Sequence, residues 1–297
     1  MLSYRHSYHA GNPSDVLKHI MLIYCLDYMT QKPKPLLCID THAGAGLYKT
    51  EESNEYNNGA GRLRAYKTTG GRSVPDPVKK YLNLLDDHKD SYPGSPLLAA
   101  RILREQDRLV CFELHPKDYE ELEKNAKIFD SIFNEPLFVQ KNSGKKSPKI
   151  ETRKEDGPLS LKALLPPVSG RGLILIDPAW EEKDEYSAIP MYVSAAAGRF
   201  SQGVYLVWYP ILTRPKVPDT TPIAQTLLDI YSGNRCRVEL YFPAATGSDS
   251  PRGMTGCGLV ILNPPWTLKQ ELTNLLPFLA AVFNEGRTDR WYLDWKE

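Results

Sequence analysis

The stretch that decides the fold is Leu36-Leu37-Cys38-Ile39-Asp40-Thr41-His42-Ala43-Gly44-Ala45-Gly46. Its first half has the apolar composition of a buried strand, and that strand ends on Asp40. The following turn contains Gly44 and Gly46, which allow a ligand to approach the backbone closely. A strand that runs into such a turn is typical of an α/β sheet with a ligand at its carboxyl edge.

Similar apolar runs, bounded by turn residues, recur along the chain. We predict strands at residues 36–40, 109–113, 173–177, 204–209, 237–242 and 258–263. Helices are predicted at residues 14–30, 117–129, 188–199 and 221–231, with Ser14 as the N-cap of the first. This alternation predicts an α/β, Rossmann-like, doubly wound sheet. Its last strand is expected to be antiparallel, in a hairpin with the strand at 237–242.

Residues 47–93 separate the first two predicted strands by more than an ordinary crossover requires. Within them Val78, Tyr81, Leu82 and Leu85 have helical spacing. We therefore predict a small helical subdomain at 47–93, inserted into a catalytic domain formed by 1–46 and 94–297.

The chain has 37 Lys and Arg against 36 Asp and Glu, and this balance excludes a uniformly basic nucleic-acid binder. Two local runs each hold six bases and one acid. The bases are Arg62, Arg64, Lys67, Arg72, Lys79 and Lys80 in the first run, and Lys141, Lys145, Lys146, Lys149, Arg153 and Lys154 in the second. For either run alone, a solvated surface is as good an interpretation as a phosphate-binding patch.

The other composition signals point to an ordinary cytoplasmic protein. The apolar run at 20–26 is too short to span a membrane, and the first nine residues are too polar for a secretory signal. Five scattered cysteines without CxxC spacing predict reduced core thiols, and we expect no metal site and no membrane anchor.

The glycine turn favours a cofactor without phosphate groups. A dinucleotide fingerprint needs a third glycine at position 49, where this chain has Lys49. S-adenosylmethionine fits better, and Glu113, at the end of the next predicted strand, provides a carboxylate for its ribose hydroxyls. Asp156-Gly157 either binds the adenine amine of the cofactor or is a plain Asp-Gly turn.

The residues Asp177-Pro178-Ala179-Trp180 follow the predicted strand at 173–177. The Asp177 carboxylate and the Pro178 carbonyl can accept both hydrogens of an exocyclic base amine, and Trp180 can stack on the base. This is the logic of the [DNS]PP[FYW] motif of amino-methyltransferases, with Ala179 in place of the second proline.

A second copy of this pattern is Asn263-Pro264-Pro265-Trp266. Chain order favours Asp177, because a fourth strand lies next to the first in a doubly wound sheet. Pro264-Pro265 is then interpreted as a strand terminator.

Four histidines, His6, His9, His19 and His42, lie near Tyr4 and Lys18 in the first 42 residues. They either converge on the cofactor and the target base or, taken singly, are helix-surface or capping histidines.

With these motifs in place, the chain resembles the RlmJ family of 23S rRNA adenine-N6 methyltransferases. The blocks that carry the resemblance are residues 2–12, 15–19, 40–46, 92–96, 103–107, 171–177, 208–210, 252–254 and 263–266. The resemblance implies a Rossmann-like methyltransferase with a helical insertion, S-adenosylmethionine as cofactor, and 23S rRNA as partner.

The resemblance also implies site residues. It implies cofactor contacts at His19, His42, Ser95, Glu113, Asp156, Gly157 and Asp177, to which the glycine turn adds Gly44 and Gly46. Asp177 takes the catalytic role with Pro178 and Trp180, while Tyr4, His6 and Lys18 match residues near the substrate. This chain departs from the family at Ala179 and in an apparent insertion at 141–149.

Two other functions remain as alternatives. One is DNA adenine methylation, and the other is a non-catalytic nucleic-acid-binding protein, motivated by Ala179. Members of the family have also been described as proteins for using external DNA as a nutrient. Nothing in the sequence implies an oligomer.

Overall fold

The structure, a computed structural model, describes residues 6–69, 73–86, 90–133, 147–212, 221–243 and 254–297. The strands are β1 (Leu37–Asp40), β2 (Leu47–Lys49), β3 (Ser91–Pro93), β4 (Arg108–Phe112), β5 (Lys149–Arg153), β6 (Gly172–Ile176), β7 (Val204–Leu212), β8 (Arg235–Tyr241), β9 (Met254–Leu262) and β10 (Trp291–Lys296). The helices are α1 (Pro13–Thr30), α2 (Ala60–Thr69), α3 (Asp76–Leu85), α4 (Ser95–Ile102), α5 (Pro116–Phe133), α6 (Gly157–Leu164), α7 (Glu185–Arg199), α8 (Thr221–Asp229) and α9 (Leu268–Phe283).

The main sheet has the strand order β10-β8-β9-β7-β6-β1-β4-β5. Strands β5, β4, β1, β6 and β7 are parallel, β9 runs antiparallel to β7 and β8, and β10 runs antiparallel to β8. The predicted α/β sheet is thereby confirmed, including the antiparallel pairing of β8 with β9. The strand β6 lies next to β1, so the residues that follow these two strands meet at one edge.

Helices cover both faces of this sheet. Along β1, Cys38 belongs to one apolar cluster, shared with α1, α3, α4 and α9. Its neighbours Leu37 and Ile39 belong to a second cluster, shared with α6, α7 and α8. The two clusters alternate along the strand because successive side chains point to opposite faces. The result is a three-layer arrangement with the sheet in the middle.

The first helix begins one residue earlier than the sequence pattern predicts. Asn12, not Ser14, is the N-cap, and its side-chain oxygen accepts the N–H of Asp15 at 2.9 Å. Pro13 occupies the first turn, where the missing N–H of proline costs no helical hydrogen bond. The prediction of Ser14 as the cap is therefore wrong.

The sequence pattern also misses several elements, among them α4, α9 and the two edge strands β5 and β10. The strand β5 lies within the second basic run and contains one aliphatic residue, Ile150. An edge strand of this kind is held by pairing with its neighbour, here β4, rather than by an apolar pattern.

The segment 47–93 begins and ends with strands that pair with each other, β2 and β3, outside the main sheet. Between them, α3 turns Val78, Tyr81, Leu82 and Leu85 inward against α1. These side chains share their apolar cluster with α1 rather than forming a core of their own. The division of the chain into two domains at these positions stays a prediction.

Cys25, Cys38, Cys111, Cys236 and Cys257 are all buried and free, as expected for core thiols. Among the described helices, none is both long and apolar enough to cross a bilayer.

The contact between Gly59 and the loop before α1 gives a stability prediction. A Cβ on residue 59 would lie 2.0 Å from the carbonyl oxygen of Gly11. We expect Gly59→Ala to lower the free energy of unfolding by about 2 kcal/mol through overpacking. The control is Gly198→Ala within α7, where a Cβ meets nothing within 4 Å and the free energy should rise by about 0.5 to 1 kcal/mol. Urea denaturation measures both, and equal midpoints for the two variants would contradict this packing.

Candidate active site

A buried ammonium group joins α1 to the end of β6. The Lys18 Nζ donates to Asp15 Oδ1 at 2.7 Å and also to Asp177 Oδ2. The side chains are 5% (Lys18), 2% (Asp15) and 14% (Asp177) exposed. Burial opposes the charge of Lys18, but the two carboxylates outweigh burial and raise its pKa. Lys18 is therefore a permanent cation beside the predicted catalytic carboxylate.

Asp15 is the partner that the sequence analysis missed. It accepts hydrogen bonds from the Gly11 N–H at 2.8 Å and from His6 Nε2 at 2.9 Å, besides that of Lys18. Burial alone would raise the pKa of Asp15, but the neighbouring His6 and the charge of Lys18 hold it well below its usual value. The spacing Asp15-x-x-Lys18, three residues apart on a helix, was the available signal.

The structure brings three of the four N-terminal histidines to this ion network. His6 contacts Asp15, His19 Nε2 lies 3.9 Å from Asp15 Oδ1, and His42 Nδ1 accepts the N–H of Asp177 at 3.3 Å. Burial lowers the pKa of both His19 and His42 to about 3. Both rings are therefore neutral at physiological pH. His9 instead lies 3.2 Å from the carboxylate of Glu55.

The glycine turn after β1 holds the second predicted carboxylate in place. The N–H of Gly44 donates to Glu113 Oε2 at 2.9 Å, and the N–H of His115 donates to Oε1 at 2.7 Å. Burial raises the pKa of Glu113. Gly44 and Gly46 have φ angles of +57° and +74°, which favour glycine, and a Cβ on residue 44 would lie 2.1 Å from the Tyr48 hydroxyl oxygen.

Asp40, at the end of β1, is a buried acid with an unused acceptor. Its Oδ1 accepts the N–H of His42 at 3.2 Å, whereas Oδ2 has no hydrogen-bond partner among the described residues. Burial raises the pKa of Asp40 to about 6, and the side chain of Ser95 partly opposes the shift. An unsatisfied buried carboxylate oxygen of this kind fits a ligand that carries a donor.

Asp156 and Gly157 have structural roles at the start of α6. Asp156 is the N-cap and accepts the N–H of Leu159 at 2.9 Å. A Cβ on residue 157 would lie 2.3 Å from the carbonyl oxygen of Thr41 in the glycine turn. The Asp-Gly pair thus packs directly against the turn that follows β1.

Trp180 does not present the stacking surface that the sequence predicts. It is 5% exposed, packs against Tyr186, and donates its indole N–H to the Trp208 carbonyl oxygen at 3.0 Å. Its φ angle of +56° turns the chain inward just after Pro178, which is also buried. The indole ring is packed inside the protein and offers no exposed face to a base. The place of Trp180 among the site residues stays a prediction.

The competing motif lies at the other end of the parallel strands, near the residues where those strands begin. Asn263 follows β9, which runs antiparallel to β7 and pairs Leu262 with Tyr205 near the start of β7. The Asn263 side chain donates to the Gln202 carbonyl oxygen at 2.9 Å. Trp266 is exposed, and it follows β9 near the start of β7 rather than near the ends of β1 and β6. The strand-terminating role predicted for Pro264-Pro265 agrees with this position.

Several bases of the first basic run are paired within the protein. Arg64 donates to the Leu85 carbonyl oxygen at 2.5 Å and to the Tyr56 hydroxyl group, Lys79 pairs with Asp76 at 2.7 Å, and Lys80 pairs with Asp27. In the second run, Arg153 pairs with Glu151 at 2.5 Å. The predicted residues Tyr4, Arg72, Lys141, Lys145 and Lys146 lie outside the described residues.

The described residues contain no cluster of His, Cys, Asp or Glu suited to a metal ion.

Comparison with known proteins gives consistent matches over the whole chain. The model of a family described as "RsmJ: Ribosomal RNA large subunit methyltransferase D, RlmJ" matches residues 33–297. Two proteins named ribosomal RNA large subunit methyltransferase J, from Escherichia coli K12 and Haemophilus influenzae, are 37% and 35% identical to this chain. Each match covers 99% of both sequences. A crystal structure of a Legionella pneumophila protein is 34% identical, with a TM-score of 0.79, and the match covers 97% of this chain and 98% of that one.

The ion network gives a stability prediction. Asp15→Asn should lower the free energy of unfolding by about 3 kcal/mol at pH 7, because it leaves a buried cation with one partner fewer. Since the pKa of Asp15 is lowered by folding, its contribution is complete above the unfolded pKa and is lost as the pH falls through the folded value.

The matched control is Asp76→Asn, which breaks the exposed Lys79–Asp76 pair. Denaturant unfolding should leave the stability of this variant nearly unchanged, because solvent screens exposed pairs. Equal losses for the two variants would contradict the role assigned to the buried network.

Proposed function

Because the chain belongs to the RlmJ family of ribosomal RNA large subunit methyltransferases, we propose that it methylates the exocyclic N6 amine of an adenine in 23S rRNA. The methyl donor is S-adenosylmethionine. The observation that carries this proposal is the position of Asp177, which lies at the carboxyl edge of β6 beside the glycine turn of β1 and contacts the buried ammonium group of Lys18. A 23S rRNA substrate also agrees with the cytoplasmic location expected from the sequence.

The donor groups of the site suit this cofactor. Its ammonium group can satisfy the Oδ2 atom of Asp40, which accepts no hydrogen bond from the described residues. Each carboxylate oxygen of Glu113 accepts one backbone N–H and retains a lone pair for a ribose hydroxyl group. When bound, S-adenosylmethionine supplies an electrophilic methyl group on a sulfonium sulfur.

Other proposed cofactor contacts surround these two acids. They are His19, His42, Gly44, Gly46, Ser95, Asp156, Gly157 and Asp177. His42 supports the proposal through its hydrogen bond with the Asp177 N–H, and Ser95 through its effect on the pKa of Asp40. Neutral imidazole rings in this region avoid adding positive charge next to a sulfonium group.

Asp177 and Pro178 are proposed to orient the target amine. The lone pair of an adenine N6 atom is delocalised into the ring, so this nitrogen is a weak nucleophile. Lys18 engages the Oδ2 atom of Asp177, and Oδ1 together with the Pro178 carbonyl oxygen can accept the two N–H groups. When the nitrogen–carbon bond forms and the methyl–sulfur bond breaks, S-adenosylhomocysteine would leave as a neutral thioether. N6 would then give up one proton, for which the Asp177 carboxylate is the contacting acceptor.

The N-terminal residues and Trp180 complete the substrate side of this proposal. His6 and Lys18 share Asp15 as a partner, and Lys18 in turn contacts Asp177. Tyr4 keeps its proposed place near the substrate on the resemblance alone. Since Trp180 is buried, its proposed contribution becomes support of the chain after Pro178 rather than stacking on the base.

The paired variants Asp177→Ala and Asn263→Ala test the choice between the two motifs. With labelled S-adenosylmethionine and protein-free 23S rRNA, the first variant should lose activity by a factor of about 100 or more, because it removes a transition-state acceptor. The second should remain within about threefold of the wild type. Survival of activity in Asp177→Ala, with loss in Asn263→Ala, would reverse the assignment.

Matched hairpins of RNA and DNA extend this test to the substrate. We expect methylation of the RNA hairpin alone, because RNA provides 2′-hydroxyl groups and A-form geometry. Equal labelling of the DNA hairpin would favour DNA adenine methylation.

Cofactor binding should depend on pH through Asp40. Its pKa of about 6 means that the carboxyl group is mainly protonated at pH 5 and ionised at pH 7.5. Because an ionised carboxylate is needed to bind an ammonium group, the Kd for S-adenosylhomocysteine should be about tenfold higher at pH 5 than at pH 7.5.

Calorimetry measures this change, and Asp40→Asn is the control. The variant should bind weakly and with a much smaller pH dependence than the wild type, since His19 and His42, with pKa values of about 3, do not titrate in this range. Any change that remains would come from Glu113, whose pKa is also raised by burial. A pH dependence as large as that of the wild type in Asp40→Asn would contradict the assignment.

A further inference from the structure

The segment 47–93 sends two buried tyrosines toward His19. The hydroxyl oxygen of Tyr92, in β3, lies 2.7 Å from His19 Nδ1. The hydroxyl oxygen of Tyr81, in α3, lies 3.1 Å from that of Tyr92. All three side chains are at most 1% exposed, so water does not compete for these hydrogen bonds. The rings of His19 and Tyr92 are stacked, with centroids 5.7 Å apart and an interplanar angle of 27°.

The positions of the protons in this series of hydrogen bonds follow from the charges of the three side chains and from the number of donors that each one has. Burial keeps His19 neutral, so its ring carries one N–H, and burial raises the pKa of both tyrosines, so each keeps its O–H. His19 Nε2 lies 3.9 Å from the ionised Oδ1 of Asp15, which favours the proton on Nε2. Nδ1 is then an acceptor. Tyr92 donates to it and in turn accepts the O–H of Tyr81.

We propose that Tyr92, supported by Tyr81, is a positioning residue that fixes His19 in the tautomer protonated at Nε2. In this tautomer His19 offers a donor on the side of Asp15 and Lys18, where an anionic group such as the cofactor carboxylate can accept it. Loss of the Tyr92 hydroxyl group leaves Nδ1 without its donor and frees the ring to populate the other tautomer. The segment 47–93 thereby acts on the cofactor site as well as packing against α1.

The direct test is the ¹⁵N chemical shifts of His19 in the full-length protein without cofactor. In the wild type, the Nε2 resonance should have the value of a protonated nitrogen and Nδ1 that of an acceptor. In Tyr92→Phe both resonances should move toward averaged values. His19→Asn assigns the signals by their loss.

The matched control is Tyr205→Phe. Tyr205 is also fully buried and donates to the Ala196 and Phe200 carbonyl oxygens at 3.0 and 2.8 Å, but it belongs to the cluster on the other face of the sheet. This variant should leave the shifts of His19 at their wild-type values. A wild-type spectrum with the proton on Nδ1, or unchanged shifts in Tyr92→Phe, would overturn the proposal.

Kinetics supplies a second readout, which rests on the proposed function. Tyr92→Phe should raise the KM for S-adenosylmethionine about fivefold, as expected for one lost hydrogen bond, with kcat within about twofold of the wild type. Tyr81→Phe keeps the bond to Nδ1 and should raise KM about twofold, while Tyr205→Phe leaves it unchanged.

A KM that is unchanged in Tyr92→Phe, or raised equally in Tyr205→Phe, overturns the positioning role. Absence of methylation by the wild type would instead overturn the proposed function. The two failures are distinguishable, because the shifts of His19 are read without cofactor.

Discussion

The buried ammonium group of Lys18 is the constraint on which the site depends. A cation that is 5% exposed must be paired, and its partners Asp15 and Asp177 come from α1 and from the end of β6. These ion pairs therefore hold the first turns of α1 against the carboxyl ends of the parallel strands. They also bring His6 to the edge, because His6 shares Asp15 with Lys18. The same ion pairs therefore fix the position of Asp177, the proposed catalytic carboxylate, and that of the N-terminal residues.

The buried charge of Lys18 also bears on which of the groups near the carboxyl ends of β1 and β6 are charged and which are neutral. Lys18 carries the positive charge, so burial can keep His19 and His42 neutral without leaving Asp15 and Asp177 unpaired. Asp40, next to this cluster, retains an unsatisfied oxygen and a raised pKa. A methyl donor that carries an ammonium group and a sulfonium group suits an edge with several acids and neutral histidines. Membership of the RlmJ family and this distribution of charge support the same chemistry.

Much of the fold and part of the site follow from local sequence patterns. The apolar strand before Asp40 and its glycine turn identify β1, and chain order places Asp177 on the strand beside it. Features that depend on tertiary contacts do not follow. The inward turn of Trp180 depends on Trp208 and Tyr186, and β5 and β10 are strands because of their neighbours in the sheet. The contact between Tyr92 and His19 exists because the segment 47–93 folds back onto α1. The spacing of residues in that segment does not predict this packing.

Methylation of an adenine amine at the edge held together by Lys18, Asp15 and Asp177 is tested most directly by nucleoside mass spectrometry. The protein is incubated with protein-free 23S rRNA and S-adenosylmethionine that carries a deuterated methyl group. We predict labelled N6-methyladenosine, at no more than about one per RNA molecule. Label on any other nucleoside, or on a ribose hydroxyl group, would contradict it.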